Sequence, residues 1–193
     1  MELLDKIHAC TLCRAHLPLP PKPVLQLHGD AKILIAGQAP GIHAHNSGRP
    51  FDDASGVRLR QWLGVTEEVF YNPRLFAIVP MGFCYPGTSK QGDLPPRPEC
   101  AATWRAQILA ALPQRHLTLV LGQYAMHYHL QKRYKTVTEA VQDWRSQWPE
   151  TMALPHPSPR NNIWLKRNPW FEQEVVPSLR ARVASLLSLH ATK

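Results

Sequence analysis

Four short apolar runs, separated by stretches of helical periodicity, constrain the fold of this chain more than any other feature. They are "KILIAG" (Lys32 to Gly37), "LFAIV" (Leu75 to Val79), "LTLVLG" (Leu117 to Gly122) and "TMALP" (Thr151 to Pro155). Each is nearly continuous in hydrophobicity, the pattern of a strand buried on both faces. Helix candidates lie between them: Ala54 to Leu63 closed by Gly64, Pro98 to Leu112, Gln123 to Leu130, and Thr138 to Gln147. Asp53 is placed to cap the first of these. A last helix is expected from near Asn168 to Leu189, kinked or split by Pro177. Strand alternating with helix predicts an α/β fold, a central four-stranded, mostly parallel sheet in a three-layer α/β/α sandwich. At 193 residues the chain suits one core, so a single domain over 1–193 is expected.

Ligands in such folds collect beyond the carboxyl ends of the strands. Three segments emerge there: "GQAPGIHAHNSGRPFDD", "PMGFCYPGTSKQGDLPPRPEC" and "PHPSPRNN". They hold most of the polar residues that a dry interior does not tolerate, which points to one active site. Pro18, Pro20, Pro21 and Pro23 form a stiff extended linker ahead of the first strand.

Charge narrows the class of partner. Lys plus Arg number 22 against 14 Asp plus Glu, a formal charge of +8, which favours a polyanionic partner as much as it fits a basic enzyme of another kind. The start, "MELLDKIHACTLC", has neither a basic opening nor a long apolar run, and no window approaches a membrane span. A cytoplasmic monomer that does not touch membranes is expected, and a reducing compartment argues against a disulfide framework for the four cysteines.

Those cysteines are Cys10 and Cys13, spaced C-x2-C, then Cys84 and Cys100 on the long second loop. Two thiolates from one turn and two from a loop can hold a metal centre. Spacing leaves tetrahedral zinc and a four-iron, four-sulfur cluster both open.

The motifs taken in order resemble the uracil-DNA glycosylase superfamily, above all its iron–sulfur branches, families four and five. C-x2-C near the start, "GQAPG…GRPF" after the first strand, the cysteine pair after the second and "HPSPRN" after the last span Cys10 to Asn161. The resemblance implies a four-stranded parallel sheet between helices and a [4Fe–4S] cluster on Cys10, Cys13, Cys84 and Cys100. It also implies hydrolysis of the N-glycosidic bond of a flipped damaged base, uracil or another deaminated one. His156 of the "HPS" loop then donates to the base carbonyl as negative charge develops there. Phe51 stacks on the base, while Gln38 and Ala39 offer backbone N–H groups.

The sequence departs from the pattern twice. The loop between "GQAPG" and Phe51 has no carboxylate where family four carries acidic residues; it holds Gln38, Ile42, His43, Ala44 and His45. Asp53, which opens a family-five-like "DASG", is the expected catalytic carboxylate, with Asp52 as a substitute and His43 as helper; a plain helix cap is the competing role for Asp53. Pro80 stands where these families place a base-reading asparagine, and it offers no side-chain or backbone donor. Readout is then expected from Asn46, or from backbone groups around Met81 and Gly82.

After His156, Ser158, Arg160, Lys166 and Arg167 are expected at DNA phosphates. A bulky residue near Asn162 to Trp164 is expected to wedge into the gap left by the flipped nucleotide. Two alternatives compete with a monofunctional glycosylase. One is a catalytically inactive iron–sulfur protein of the same fold that binds nucleic acid; the other is a zinc-stapled enzyme acting on a nucleotide or nucleoside.

Overall fold

The structure, a computed structural model, describes residues 2–90, 92–131 and 133–188. Its central sheet has four parallel strands in the order β2-β1-β5-β6: β1 (Ile33–Ala36), β2 (Phe76–Ile78), β5 (Leu117–Leu121) and β6 (Thr151–Leu154). A two-stranded antiparallel hairpin, β3 (Thr88–Ser89) with β4 (Gly92–Asp93), interrupts the second loop. The strand expectations hold because both faces are covered. Ile33 and Ile35 of β1 join one apolar cluster with Leu59, Trp62, Phe171 and Leu179. Leu34 between them joins a second cluster with Ile7, Phe83 and Ile108. Successive side chains leave opposite faces of a strand, so two covered faces demand an unbroken apolar run.

The helices are α1 (Glu2–His8), α2 (Ile42–Ser47), α3 (Ala54–Leu63), α4 (Glu67–Phe70), α5 (Pro98–Ala110), α6 (Gly122–His129), α7 (Val137–Gln142), α8 (Asn162–Arg167) and α9 (Val176–Ser188). α3 has the predicted bounds: Asp53 caps its start by accepting from the Gly56 N–H at 3.0 Å, and Gly64 at φ 69° closes it. The expected helix from Thr138 to Gln147 is α7, with a Thr136–Glu139 capping box, followed by a separate 3₁₀ turn at Trp144–Gln147. Pro177 does not split the last helix. The turn just before it, Phe171–Val175, widens to a π-helical turn that absorbs the missing donor, and α9 runs on. The predicted end at Leu189 lies outside the described residues. α1, α2, α4 and α8 are too short for their periodicity to stand out in sequence.

The proline linker ends on the outer edge of β2. Gln26 exchanges both backbone hydrogen bonds with Ile78, at 2.9 and 2.8 Å, which covers part of an exposed strand edge. Among the described residues no helix is long and apolar enough to cross a membrane.

Candidate active site

The three loops predicted to meet do meet, around one cleft of about 720 Å³ at the carboxyl ends of the strands. Gln38, Ala39, His43, Phe51, Asp53, His156, Ser158 and Arg160 all line it. Asn46 does not: it is exposed at the end of α2, and its carbonyl accepts from Lys22 Nζ at 3.1 Å. Lys166 and Arg167 lie outside the cleft on the exposed last turn of α8, the continuation of the histidine loop.

His156 is fixed by its own loop. Its Nδ1 accepts from the Ser158 N–H at 3.2 Å, so in the neutral ring the proton sits on Nε2. Burial holds the imidazole below its ordinary pKa, against upward pulls from Asp53 and Asp93. Asn161 Nδ2 clamps the His156 carbonyl at 2.7 Å. Arg58, reaching across from α3, donates to the Ser158 carbonyl at 3.1 Å and to Asn162 Oδ1 at 2.7 Å. Sequence reasoning missed Arg58, because a contact between residues 100 positions apart leaves no local trace.

Phe51 forms an adjoining wall. Its ring centroid lies 6.3 Å from that of His156 with the planes 31° apart. The backbone at Phe51 has φ 56°, a left-handed conformation a phenylalanine adopts only when its surroundings impose it. Two neighbours impose it here. Tyr71 Oη donates toward the Pro50 and Phe51 carbonyls at 3.0 and 3.2 Å, and Gly56 leaves room for the Phe51 carbonyl where any Cβ would come within 1.8 Å.

Asp53 performs the cap, with Oδ1 on Gly56, and also lines the cleft near His156. Gln38 spends its side-chain amide on the Leu94 carbonyl at 3.2 Å, tying its loop to the hairpin. Arg160 lies against Gly92, where a Cβ would stand 2.3 Å from its Nη1. A second missed residue is Asp93, at the end of that hairpin, which lines the cleft and acts on the His156 ring. Two-residue strands carry no periodicity from which to place it.

Pro80 lines the cleft as expected, with its carbonyl turned to Arg105, which donates to Val79 and Pro80 at 2.8 and 3.3 Å. Of the backbone groups expected near it, the N–H donors are already engaged. The Met81 and Gly82 N–H groups already donate to the Gly37 and Gln38 carbonyls at 2.9 and 3.0 Å. Trp164 is no wedge either: its Nε1 bonds Thr138 Oγ1 at 2.8 Å and its ring packs on Trp170 and Phe171. Its neighbour Ile163 is 65% exposed, the most exposed large apolar side chain among the described residues.

All four cysteines carry free thiols. Among the described residues no His, Cys, Asp or Glu group that could hold a metal ion is formed. The four thiols are nonetheless electrostatic neighbours. Burial first, then the adjoining thiols, raise the pKa of Cys84 to about 11 and that of Cys100 to about 12. Cys13 and Cys100 are electrostatically coupled, and the Phe83 N–H donates to Cys100 Sγ at 3.4 Å.

Residues 26–180 match the model of the Uracil DNA glycosylase superfamily, a span that holds every cleft wall except Val24, and Cys84 and Cys100 but not Cys10 and Cys13. Among solved structures, the chain is similar to a protein from Methanosarcina acetivorans described as a "putative Uracil DNA glycosylase", solved in solution. The two share 16% identity over 81% of this chain and 93% of that one, with a TM-score of 0.49.

Proposed function

We propose that this chain, which belongs to the uracil DNA glycosylase superfamily, hydrolyses the N-glycosidic bond of a damaged base flipped out of DNA. The observation that carries this reading is the fixed, neutral His156 beside the Phe51 ring. With Nδ1 held by the Ser158 N–H, Nε2–H is the donor left to the cleft. As the bond from C1′ to the base breaks, negative charge grows on the base carbonyl and positive charge on the sugar. A preorganised donor at the carbonyl stabilises that state more than the ground state. Burial keeps the ring neutral, so donation does not depend on first acquiring a proton. Phe51 supplies a stacking face, worth about 1–3 kcal/mol per base. Asp53, with His43, orients the attacking water and steadies the sugar. Ser158, Arg160, Lys166 and Arg167 hold phosphates, and Ile163 is the exposed apolar side chain suited to fill the gap in the stack.

The protein is further proposed to act as a monomer of the iron–sulfur branch, with a [4Fe–4S] cluster on Cys10, Cys13, Cys84 and Cys100. The sulfur-only donor set, the convergence of the thiols and the N–H bond to Cys100 support that choice. When bound, the cluster serves as a structural staple; Cys10 and Cys13 anchor the first helix to the loop that carries the hairpin.

A second reading, an inactive nucleic-acid-binding protein of this fold, draws on Pro80, on the position of Asn46 away from the cleft lining, and on the Met81 and Gly82 N–H groups, which are already committed. Single- and double-stranded oligonucleotides carrying uracil, hypoxanthine or xanthine separate the two. Base release that leaves abasic sites is the expected result; binding without release on every substrate supports the second reading.

A further inference from the structure

We infer that Asp93, on the β3–β4 hairpin, is the carboxylate that deprotonates the attacking water, which Asp53 orients. The inference rests on the glycosylase reading of the cleft and goes beyond it in naming the base. Three carboxylates line the cleft: Asp52, Asp53 and Asp93. Two of them, Asp53 and Asp93, act on the His156 ring, so they share its part of the cleft. Asp53 has one oxygen committed to the Gly56 N–H at 3.0 Å, where it caps α3. Asp93 is oriented differently. Its Oδ1 accepts from Thr88 Oγ1 at 3.0 Å, and Thr88 in turn meets Tyr85 Oη at 2.6 Å. Its Oδ2 has no hydrogen-bond partner among the described residues and lies beside Gly41, 3.4 Å from where a Cβ would stand. One oxygen is thus held and the other faces the "GQAPG" wall. The hairpin itself is moored, since Gln38 Nε2 donates to Leu94 O at 3.2 Å. The segment from Gly37 to Pro50 contains no carboxylate; the hairpin brings one to it in space.

The step balances with these groups alone. The C1′–N bond breaks with its electron pair leaving on the base, while His156 Nε2–H steadies the carbonyl oxygen. The water oxygen bonds C1′, and the proton it loses goes to Asp93 Oδ2. That proton then passes to the base anion, so the site returns to its starting state with a neutral base and a sugar hydroxyl. His43, Asp52 and Arg160 are the other charged or titratable groups at this cleft, and none is needed to carry the proton.

The test is Asp93→Asn, which keeps the Oδ1 that accepts from Thr88 and therefore the hairpin. Single-turnover base release, on a substrate the parent cleaves, is expected to fall about 10²- to 10⁴-fold, the range for loss of a general base, with DNA affinity unchanged. NMR titration of His156 provides a readout that does not need activity: removing the Asp93 charge moves the ring's pKa further down. Release within about threefold of the parent, an effect too small for a lost general base, overturns the assignment, as does an unmoved His156. A parent that releases no base from any substrate, while His156 still responds to Asp93→Asn, instead overturns the glycosylase reading and this role with it.

Discussion

Replacing Gly56 by alanine sets two physical effects of opposite sign against each other. Gly56 lies inside α3, where alanine is normally favoured over glycine by about 1 kcal/mol. Helix propensity alone therefore predicts a more stable protein. The structure predicts the reverse. A Cβ at Gly56 would stand 1.8 Å from the Phe51 carbonyl oxygen, 2.8 Å from its carbon and 3.0 Å from its Cβ. Two of these are backbone atoms, so no rotamer change relieves the clash; the Phe51 segment or the first turn of α3 has to move. Overpacking of this kind costs about 1–3 kcal/mol or more, enough to cancel the propensity gain and exceed it. The displaced segment also carries the Tyr71 bonds and the stacking face. With about 1–3 kcal/mol per stacked base at stake, binding of the flipped base should weaken roughly 5- to 150-fold. Thermal denaturation of parent and Gly56→Ala, followed by single-turnover release, measures both parts. A drop of several degrees in Tm is expected, at about 2–4 °C per kcal/mol for this size. A Tm at or above that of the parent, with undiminished release, would refute the close approach that shapes Phe51.

Three further outcomes follow from other parts of the molecule. Alanine at Arg160, Lys166 and Arg167 should reduce the log–log salt slope of duplex binding by about 0.9 for each phosphate left without its cation, and an unchanged slope removes these residues from the interface. Cys84→Ala should abolish visible absorption and iron in anaerobically prepared protein and lower its stability; colourless parent protein with stoichiometric zinc contradicts the cluster. His129 is held neutral, its pKa lowered to about 3 from 6.5 by burial and by Arg105, from which its Nε2 accepts at 2.7 Å. Because the unfolded state takes up this proton first, the stability from keeping His129 neutral is complete above pH 6.5 and is lost as pH falls toward 3, with a slope of up to about 1.4 kcal/mol per pH unit. Denaturant melts across that range should show the decline, and His129→Gln, which still accepts from Arg105, should flatten it.

The strands and the three-loop site were legible because each rests on a local regularity. A strand covered on both faces must be apolar throughout, and a loop beyond its end is free to hold polar groups. Asp53 was legible for the same reason, as a cap one position before a periodic segment. What stayed hidden depends on contacts distant in sequence. Arg58 acquires its role only by meeting Ser158, 100 residues later. Asp93 belongs to a ribbon too short to have a period. Asn46 was misplaced because a loop was expected where α2 forms, and its position there leaves it outside the cleft. Trp164 looked available in the sequence, yet Thr138 and the aromatic pair Trp170 and Phe171 bind it against the core.

The most direct test of the catalytic role of His156 is single-turnover base release by the parent and by His156→Ala, with protein in excess, on the same oligonucleotide panel. The parent is expected to release at least one deaminated base, and the variant to do so more slowly, on the order of 10²- to 10³-fold, while DNA affinity stays nearly intact. A His156→Ala protein as fast as the parent contradicts that role.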